Sequence, residues 1–300
     1  MGKPREVRVR VPASSANLGP GFDSLGLALA LYDEIEVCAA GDGTSVEVEG
    51  EGAGQVPCDE SHLVVRAMRT TWNIVGDAPA GIRLKCRNAI PHSRGLGSSA
   101  AAAVAGAVAA AVLAGRDPEL ERETLLQVTA GMEGHADNAA ASLLGGFVVA
   151  WETAGNTSDR FHAVRLETHQ GIRPVAFIAG VESLTATTRG LLPERVPLVD
   201  AAFTGSRTAL AVLAFTERPE LLLPATEDRI HQSYRRPAYP ASADLVDALR
   251  AHGVAAAISG AGPTVLALPT DPVLPAQIDT DGFTATPLEI DRRGATVDIG

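Results

Sequence analysis

Aromatic residues are scarce in this chain, 4 % of 300 positions, so a core has to be packed mainly by Ala, Val, Leu and Ile. Cysteine is scarcer still. Cys38, Cys58 and Cys86 form no CxxC pair and no Cys/His ligand spacing, which argues against a disulfide framework or thiolate metal site and reads as reduced thiols in a cytoplasmic protein. Positive charge is also in deficit: 25 Lys and Arg face 36 Asp and Glu, a net charge of -11. That balance gives no general attraction to nucleic acid or to an anionic membrane. The opening residues MGKPREVRVRVP lack the apolar stretch of a secretory signal, and the longest apolar run, Ala100 to Ala114, is short for a bilayer span. Neither nucleic acid nor membrane is therefore expected as a partner. An anion site is not excluded, because backbone N–H groups bind phosphate whatever the net charge.

What is present is a globular composition, 46 % hydrophobic and 20 % charged, with helix and strand periods in mixed order. Val7, Val9 and Val11 alternate with charged residues as a half-buried strand does, and a small-residue loop follows from Ala13 to Gly26. Ile35–Cys38, Ser45–Glu49 and Gly81–Arg87 read as strands, Leu63–Val75 and the Ala/Val run to about Ala114 as helices. Pro118–Thr129 reads as a helix, GMEGHADN as a loop before a short Ala-rich helix, and Phe147–Trp151 and Phe161–Leu166 as strands. After Thr168 a strand, helices at Leu198–Phe215 and Ala241–His252, and strands around Ser259–Gly262 and Phe283 suggest a second α/β layer. The expected class is α+β in two domains, 1–168 and 169–300.

The most informative local signal is PHSRGLGSSAAAAVAG, Pro91 to Gly106, a glycine-rich turn delivered into a helix N-terminus. Gly95 and Gly97 permit positive φ and close approach to a ligand. Ser98 and Ser99 fall at the N-cap and first turn, where unpaired N–H groups and the helix dipole favour an anion. A Ser-capped core helix would explain the serines alone, but no Glu or Gln follows to complete a capping box. The turn has no GK[ST], so it is not a Walker A loop, and it lacks the GxGxxG spacing of a dinucleotide fold.

PxxxGLGSSAA resembles the phosphate-binding motif of the GHMP family of small-molecule kinases. SGAGPTVLAL (Ser259–Leu268) resembles that family's third motif, and GHADNAAASLLGG (Gly134–Gly146) a segment of its homoserine-phosphorylating members. VPASSANLGPGFDSLGLAL (Val11–Leu29) closely resembles the first motif of the same members, and EDRIHQSYR (Glu227–Arg235) another of their segments. Thr185 to Arg189, with the LLPERVPLVDA that follows, resembles their T-x-x-x-R…LP stretch. The matches keep their order from Val11 to Leu268.

The resemblance implies a GHMP kinase fold, an N-terminal ATP-binding domain and a ferredoxin-like C-terminal domain, with MgATP and L-homoserine as substrates and a homodimer as the assembly. It implies an ATP site at Pro91, His92, Ser93, Arg94, Gly95, Leu96, Gly97, Ser98, Ser99, Ala100 and Ala101. Mg²⁺, a hard cation that takes oxygen ligands, falls to Glu133 with Ser98 or Ser99. Homoserine carries a carboxylate, an ammonium and an alcohol. Arg189 and Arg235 suit the carboxylate, whose geometry the guanidinium fork matches. Asp23, with Asn17 beside it, suits the ammonium, although an Asx-turn would account for Asp23 equally well. Thr185 completes the substrate set. Asn138 takes the alcohol as hydrogen-bond acceptor, and Asp137 is the neighbouring carboxylate for its proton. His62 stands where homoserine kinases commonly carry Asn near the adenine pocket.

Two other readings stay open at this point. Another GHMP kinase, of the mevalonate or sugar type, is one; a substrate without a carboxylate would give Arg189 and Arg235 no partner. A non-catalytic nucleic-acid binder would want a basic face interleaved with aromatics, which this chain lacks.

Overall fold

The computed structural model describes residues 6–155, 159–183, 185–270 and 277–299. Strands β1 (Glu6–Asn17) and β2 (Gly21–Ala40) pair antiparallel across a turn at Leu18–Pro20. The stretch expected as a loop, Ala13–Gly26, is therefore a hairpin in which Ala13, Ser14, Ser15 and Ala16 face Leu29, Ala28, Leu27 and Gly26. Small residues have weak strand preference, but here they are fully buried, and packing overrides propensity. Strand β3 (Gly43–Gly50) runs parallel to β4 (Gly81–Asn88), and β4 pairs with the second half of β2. The first half of β2 instead pairs with β5 (Phe147–Glu152), which carries β6 (Phe161–Leu166) outside it.

Helices α1 (Leu63–Val75), α2 (Ser98–Leu113), α3 (Arg122–Glu133) and α4 (Asp137–Leu144) build the core with this sheet. α2 touches β1 and the other three helices, and its alanines let them come close. A Cβ at Gly106 would overlap the carbonyl of Val64 on α1, and Trp72 donates from Nε1 to the Ala110 carbonyl at 3.0 Å. α3 begins at Arg122 rather than Pro118, because Asp117 accepts backbone bonds from Glu119, Leu120 and Glu121 and makes a turn there. It also runs on through Glu133, and α4 takes Asp137 and Asn138, so only Gly134, His135 and Ala136 of the expected GMEGHADN loop lie outside a helix.

The second sheet holds β7 (Val175–Ala179), β8 (Ala255–Ile258), β9 (Val265–Leu268) and β10 (Phe283–Pro287) in the order β10-β7-β9-β8, with every pair antiparallel. Counted within the sheet this is 4-1-3-2, the ferredoxin-like order. Between β7 and β8 lie α5 (Thr185–Arg189), α6 (Leu198–Thr216), α7 (Leu222–Ala225), α8 (Gln232–Arg235) and α9 (Pro240–Ala251). α6 is, among the described residues, the one helix long and apolar enough to cross a bilayer by length and composition. Its buried side includes Phe215, which stacks on Phe147 of β5 at 4.9 Å and so joins the two domains.

The chain then returns. β11 (Thr296–Ile299) pairs with β1, and Asp291 takes hydrogen bonds from Tyr32, Arg293 and Gly294. A division into 1–168 and 169–300 leaves this last strand out, since it belongs to the first sheet. Only a short alternation, Ala295, Val297 and Ile299 around Thr296 and Asp298, announces the return, which is also held by backbone bonds such as Ala30 N–H to Glu289 C=O and Asp291 N–H to Ala28 C=O.

Asp33, on β2, fixes where the glycine-rich turn leaves the sheet. Its Oδ1 accepts the N–H groups of Ala89 at 2.8 Å and Ile90 at 2.9 Å. Burial pushes the carboxyl up to about 6, and the two backbone bonds only partly offset it. The folded protein thus holds this proton more tightly than the unfolded chain, and Asp33's contribution to stability falls as pH rises through that interval. Against Asp33→Asn, which keeps the accepting oxygen, the wild-type stability should drop by about 2–3 kcal/mol between about pH 4 and pH 7. Denaturant titrations of both proteins at each pH measure the difference. A difference independent of pH would show that Asp33 is not held this way.

Candidate active site

A cavity of about 550 Å³ runs between the two domains, lined by the glycine-rich turn and first turn of α2, by Asn17 and Asp23 on the strands flanking the β1–β2 turn, and by α5 and α8. The turn is sutured from behind. Arg94 C=O accepts Thr264 N–H, Leu96 C=O accepts Ser14 N–H at 3.0 Å, and Gly95 C=O accepts Ser259 Oγ at 2.6 Å. Gly95 and Gly97 both take positive φ, 78° and 71°. A Cβ at Gly95 would overlap the Ser259 carbonyl, and one at Gly97 would overlap the Ser14 hydroxyl and crowd Asn138 Oδ1. The glycines are thus required by what packs behind the turn, besides any ligand in front of it.

Gly97, not a serine, is the N-cap of α2, and no side chain caps the helix. Ala101 is the first residue of α2 to bond back, to the Gly97 carbonyl, so the N–H groups before it have no helical partner. Pro91, His92, Ser93, Arg94, Leu96, Ser98 and Ser99 all line the cavity, whereas Ala100 and Ala101 are buried beneath it. Ser99 Oγ donates to Glu133 Oε2 at 2.8 Å. Burial raises the Glu133 carboxyl, with the Ser99 bond opposing. Hard oxygens from two elements therefore converge beside unpaired N–H groups, a donor set suited to Mg²⁺.

The other end of the cavity carries full charges. Arg189 meets Asp23 in a bidentate pair, Nη1 to Oδ2 at 3.0 Å and Nη2 to Oδ1 at 2.6 Å. Burial works against the guanidinium, but the Asp23 carboxylate outweighs it and raises the Arg189 pKa. Arg235 is different. It is 1 % exposed, has no carboxylate within ion-pair distance among the described residues, and leaves Nε without a partner. Only long bonds reach it, at 3.4 Å, from Nη1 to His231 Nδ1 and to Gly260 C=O. Burial lowers its pKa. His231 donates from Nε2 to Gly19 C=O at 2.6 Å, and that bond fixes the tautomer whose Nδ1 accepts from Arg235. Both guanidinium carbons lie 5.4 Å from the centre of the Phe22 ring.

Several residues take roles other than those expected. Asn17 lines the cavity but binds inward: Nδ2 donates to Gly260 C=O at 2.9 Å, and Oδ1 accepts Asp23 N–H at 3.0 Å. Asn138 Oδ1 accepts Ser14 Oγ at 3.0 Å, which uses one of its two lone pairs, and its amide NH₂ is a further group it can offer. Asp137 is buried, and its Oδ1 accepts His135 Nδ1–H at 2.7 Å and Asn138 N–H at 2.8 Å. Although burial pulls His135 down, Asp137 raises its pKa. His62 lines the cavity with Nδ1 unpartnered, held low by burial and by His92. The side chain of Thr185 lies outside the described residues. Ser14, Phe22 and Ser259 were missed individually, although each sits within a quoted motif, whereas His231 and His135 are readable from the sequence as histidines flanking the site, more often packing or hydrogen-bonding residues than ligands.

Comparisons with known proteins agree with this geometry. The profile described as GHMP kinases N terminal domain matches residues 62–146, and GHMP kinases C terminal matches 204–278. A homoserine kinase of Streptomyces avermitilis is 52 % identical over 294 residues, 97 % of this chain and 95 % of that protein. One of Rhodococcus opacus is 53 % identical over 297 residues, with 95 % of each covered. Among solved structures, homoserine kinase from Cytophaga hutchinsonii superposes with a TM-score of 0.83 at 26 % identity, covering 99 % of both chains. Mevalonate diphosphate decarboxylase from Staphylococcus aureus, at 19 % identity and a TM-score of 0.69 over 98 % of both chains, shares the fold.

The sutured turn makes a direct prediction. Gly97→Val puts a β-branched side chain at positive φ, a strain of about 1–3 kcal/mol before the clash with Ser14 is counted. The variant should melt below wild type and lose ATP binding in calorimetry, whereas Ser98→Ala should keep both. Intact ATP affinity in folded Gly97→Val would remove the anion site from this turn.

Proposed function

The chain belongs to the GHMP kinase family, and we propose that within it the protein is a homoserine kinase, transferring the γ-phosphoryl of MgATP to the side-chain hydroxyl of L-homoserine. The observation that carries the substrate is Arg235. A fully buried guanidinium without an anion is costly to keep, and a ligand carboxylate entering between Arg235 and Arg189 removes that cost. A sugar substrate has no carboxylate for that position, and mevalonate, which has one, carries no ammonium for Asp23. The ammonium goes to Asp23, and Thr185 belongs to the same substrate set. ATP as substrate fits a cytoplasmic location.

Phosphoryl transfer through a loose transition state asks mainly for in-line positioning and for neutralisation of charge on the phosphate. The unpaired N–H groups from Gly95 to Ala100 hold the phosphates as fixed dipoles that need no reorganisation. Glu133 with Ser98 or Ser99 holds Mg²⁺, and Ser99 is already within bonding distance of that carboxylate. When bound, the ion draws charge off the β- and γ-phosphate oxygens. Asn138 donates its amide NH₂ to the substrate hydroxyl oxygen and leaves the O–H proton free. Asp137 holds His135 and the Asn138 backbone in place. The alcohol oxygen attacks the γ-phosphorus, the bond to the β-phosphate oxygen breaks, and the hydroxyl proton passes late to the transferred phosphoryl group.

A coupled ADP-release assay over homoserine, mevalonate, galactose and shikimate should give turnover with homoserine alone. Arg235→Leu should raise the homoserine KM about 30- to 1,000-fold, the effect of about 2–4 kcal/mol of lost charge-assisted contact, with little change for ATP. Unchanged homoserine affinity in the folded variant would place the carboxylate elsewhere. Glu133→Gln should lose more activity at low than at high Mg²⁺, and an unaltered Mg²⁺ dependence would take Glu133 out of the metal site.

A further inference from the structure

We propose that the Asp23–Arg189 ion pair makes this site select zwitterions, because only a ligand bearing both charges can open the pair without leaving either member unpartnered. The inference rests on the homoserine kinase reading above and concerns how that site refuses other alcohols.

In the structure the two groups that match the substrate's charges are matched to each other. Asp23 presents both carboxylate oxygens to both terminal nitrogens of Arg189, at 3.0 and 2.6 Å. The pair is held from each side. Asp23 sits at φ 55°, with its N–H fixed by Asn17 Oδ1, and Asn17 is in turn fixed to Gly260. Arg189 ends α5 and lies over Phe22 at 5.4 Å. Both side chains reach the cavity that holds the glycine-rich turn.

Three kinds of ligand meet this pair differently. A carboxylate without an ammonium draws Arg189 away and strands Asp23. One oxygen of Asp23 lies within 4.8 Å of ligand atoms on His135 and Asp137, so the stranded carboxylate faces a second carboxylate whose Oδ1 is already hydrogen-bonded to His135 Nδ1. An ammonium without a carboxylate draws Asp23 away and strands Arg189 beside Arg235. Two guanidiniums then share one Phe22 ring with no anion between them. A zwitterion exchanges one internal pair for two external ones and strands nothing. Specificity of this kind comes from a penalty on the wrong ligand as much as from contacts to the right one.

A simpler role for Asp23, as an ammonium contact and nothing more, makes the opposite forecast for one ligand. 4-Hydroxybutanoate has homoserine's carboxylate and alcohol but no ammonium. If Asp23 only contacts ammonium, its removal leaves the affinity for 4-hydroxybutanoate unchanged. If Asp23 also occupies Arg189, its removal frees the arginine and the affinity rises. Asp23→Asn is the variant to use, since Asn tolerates positive φ and keeps the N–H bond to Asn17.

Calorimetric affinities for homoserine, 4-hydroxybutanoate and 3-aminopropan-1-ol, measured on wild type, Asp23→Asn and Arg189→Met, decide the matter without requiring turnover. Asp23→Asn should bind homoserine more weakly and 4-hydroxybutanoate about tenfold more tightly than wild type. Arg189→Met should do the same for 3-aminopropan-1-ol, and it decides if Asp23→Asn melts below the assay temperature. Equal or weaker analogue binding in the folded variants overturns the selector. Wild-type turnover of homoserine, assayed separately, reports on the kinase reading: its loss would sink that reading, whereas turnover with unchanged analogue affinities would sink the selector alone.

Discussion

Three carbonyl groups turned out of the cavity set the geometry of the whole site. With the oxygens of Arg94, Gly95 and Leu96 bonded to Thr264, Ser259 and Ser14, the planar peptides have their N–H sides left to face the other way. The acceptors belong to one turn, but the donors come from β1 and from the connection between β8 and β9. The anion site therefore forms only when both domains are in place. The glycines follow from the same bonds, because the residues that receive the carbonyls leave no room for a Cβ.

The two ends of the cavity handle charge in different ways. At the phosphate end the positive potential comes from backbone dipoles, which cost little to bury and hold no proton. At the other end it comes from Arg189 and Arg235, whose burial is opposed by solvation and must be offset by an anion. Under the proposed function, this division lets a chain of net charge -11 accept a polyanion. Long-range attraction is absent, and short-range directed donors do the binding.

The sequence was legible where local chemistry acts alone. Leu63–Val75 and the helix from Ser98 could be read from apolar period and composition, and the phosphate turn from its glycines. The hairpin at Ala13–Gly26 could not, because small and polar residues form strands there only under the cover of α2 and α4. The orientation of Asn138 was equally hidden, since it depends on Ser14, 124 positions away. Arg235 was marked as a ligand by resemblance, but its burial without a carboxylate at ion-pair distance among the described residues appears only in three dimensions. Residue type and order foretell which groups gather. Which atom of each remains free is decided by partners distant along the chain.

The return of β11 to β1 bears on how such a chain is made. During synthesis the flank of β1 facing away from β2 stays a row of unpaired N–H and C=O groups until residues 296–299 exist, although the helices that cover the sheet were completed long before. An open strand edge is a template for pairing with other chains. The nascent protein thus passes most of its translation with β1 as the edge of its first sheet, and the long sequence separation of that final pairing slows its addition. Loss of a few residues at that end would leave the cavity lining intact while moving the open edge from the four-residue β11 to the longer, Val-rich β1.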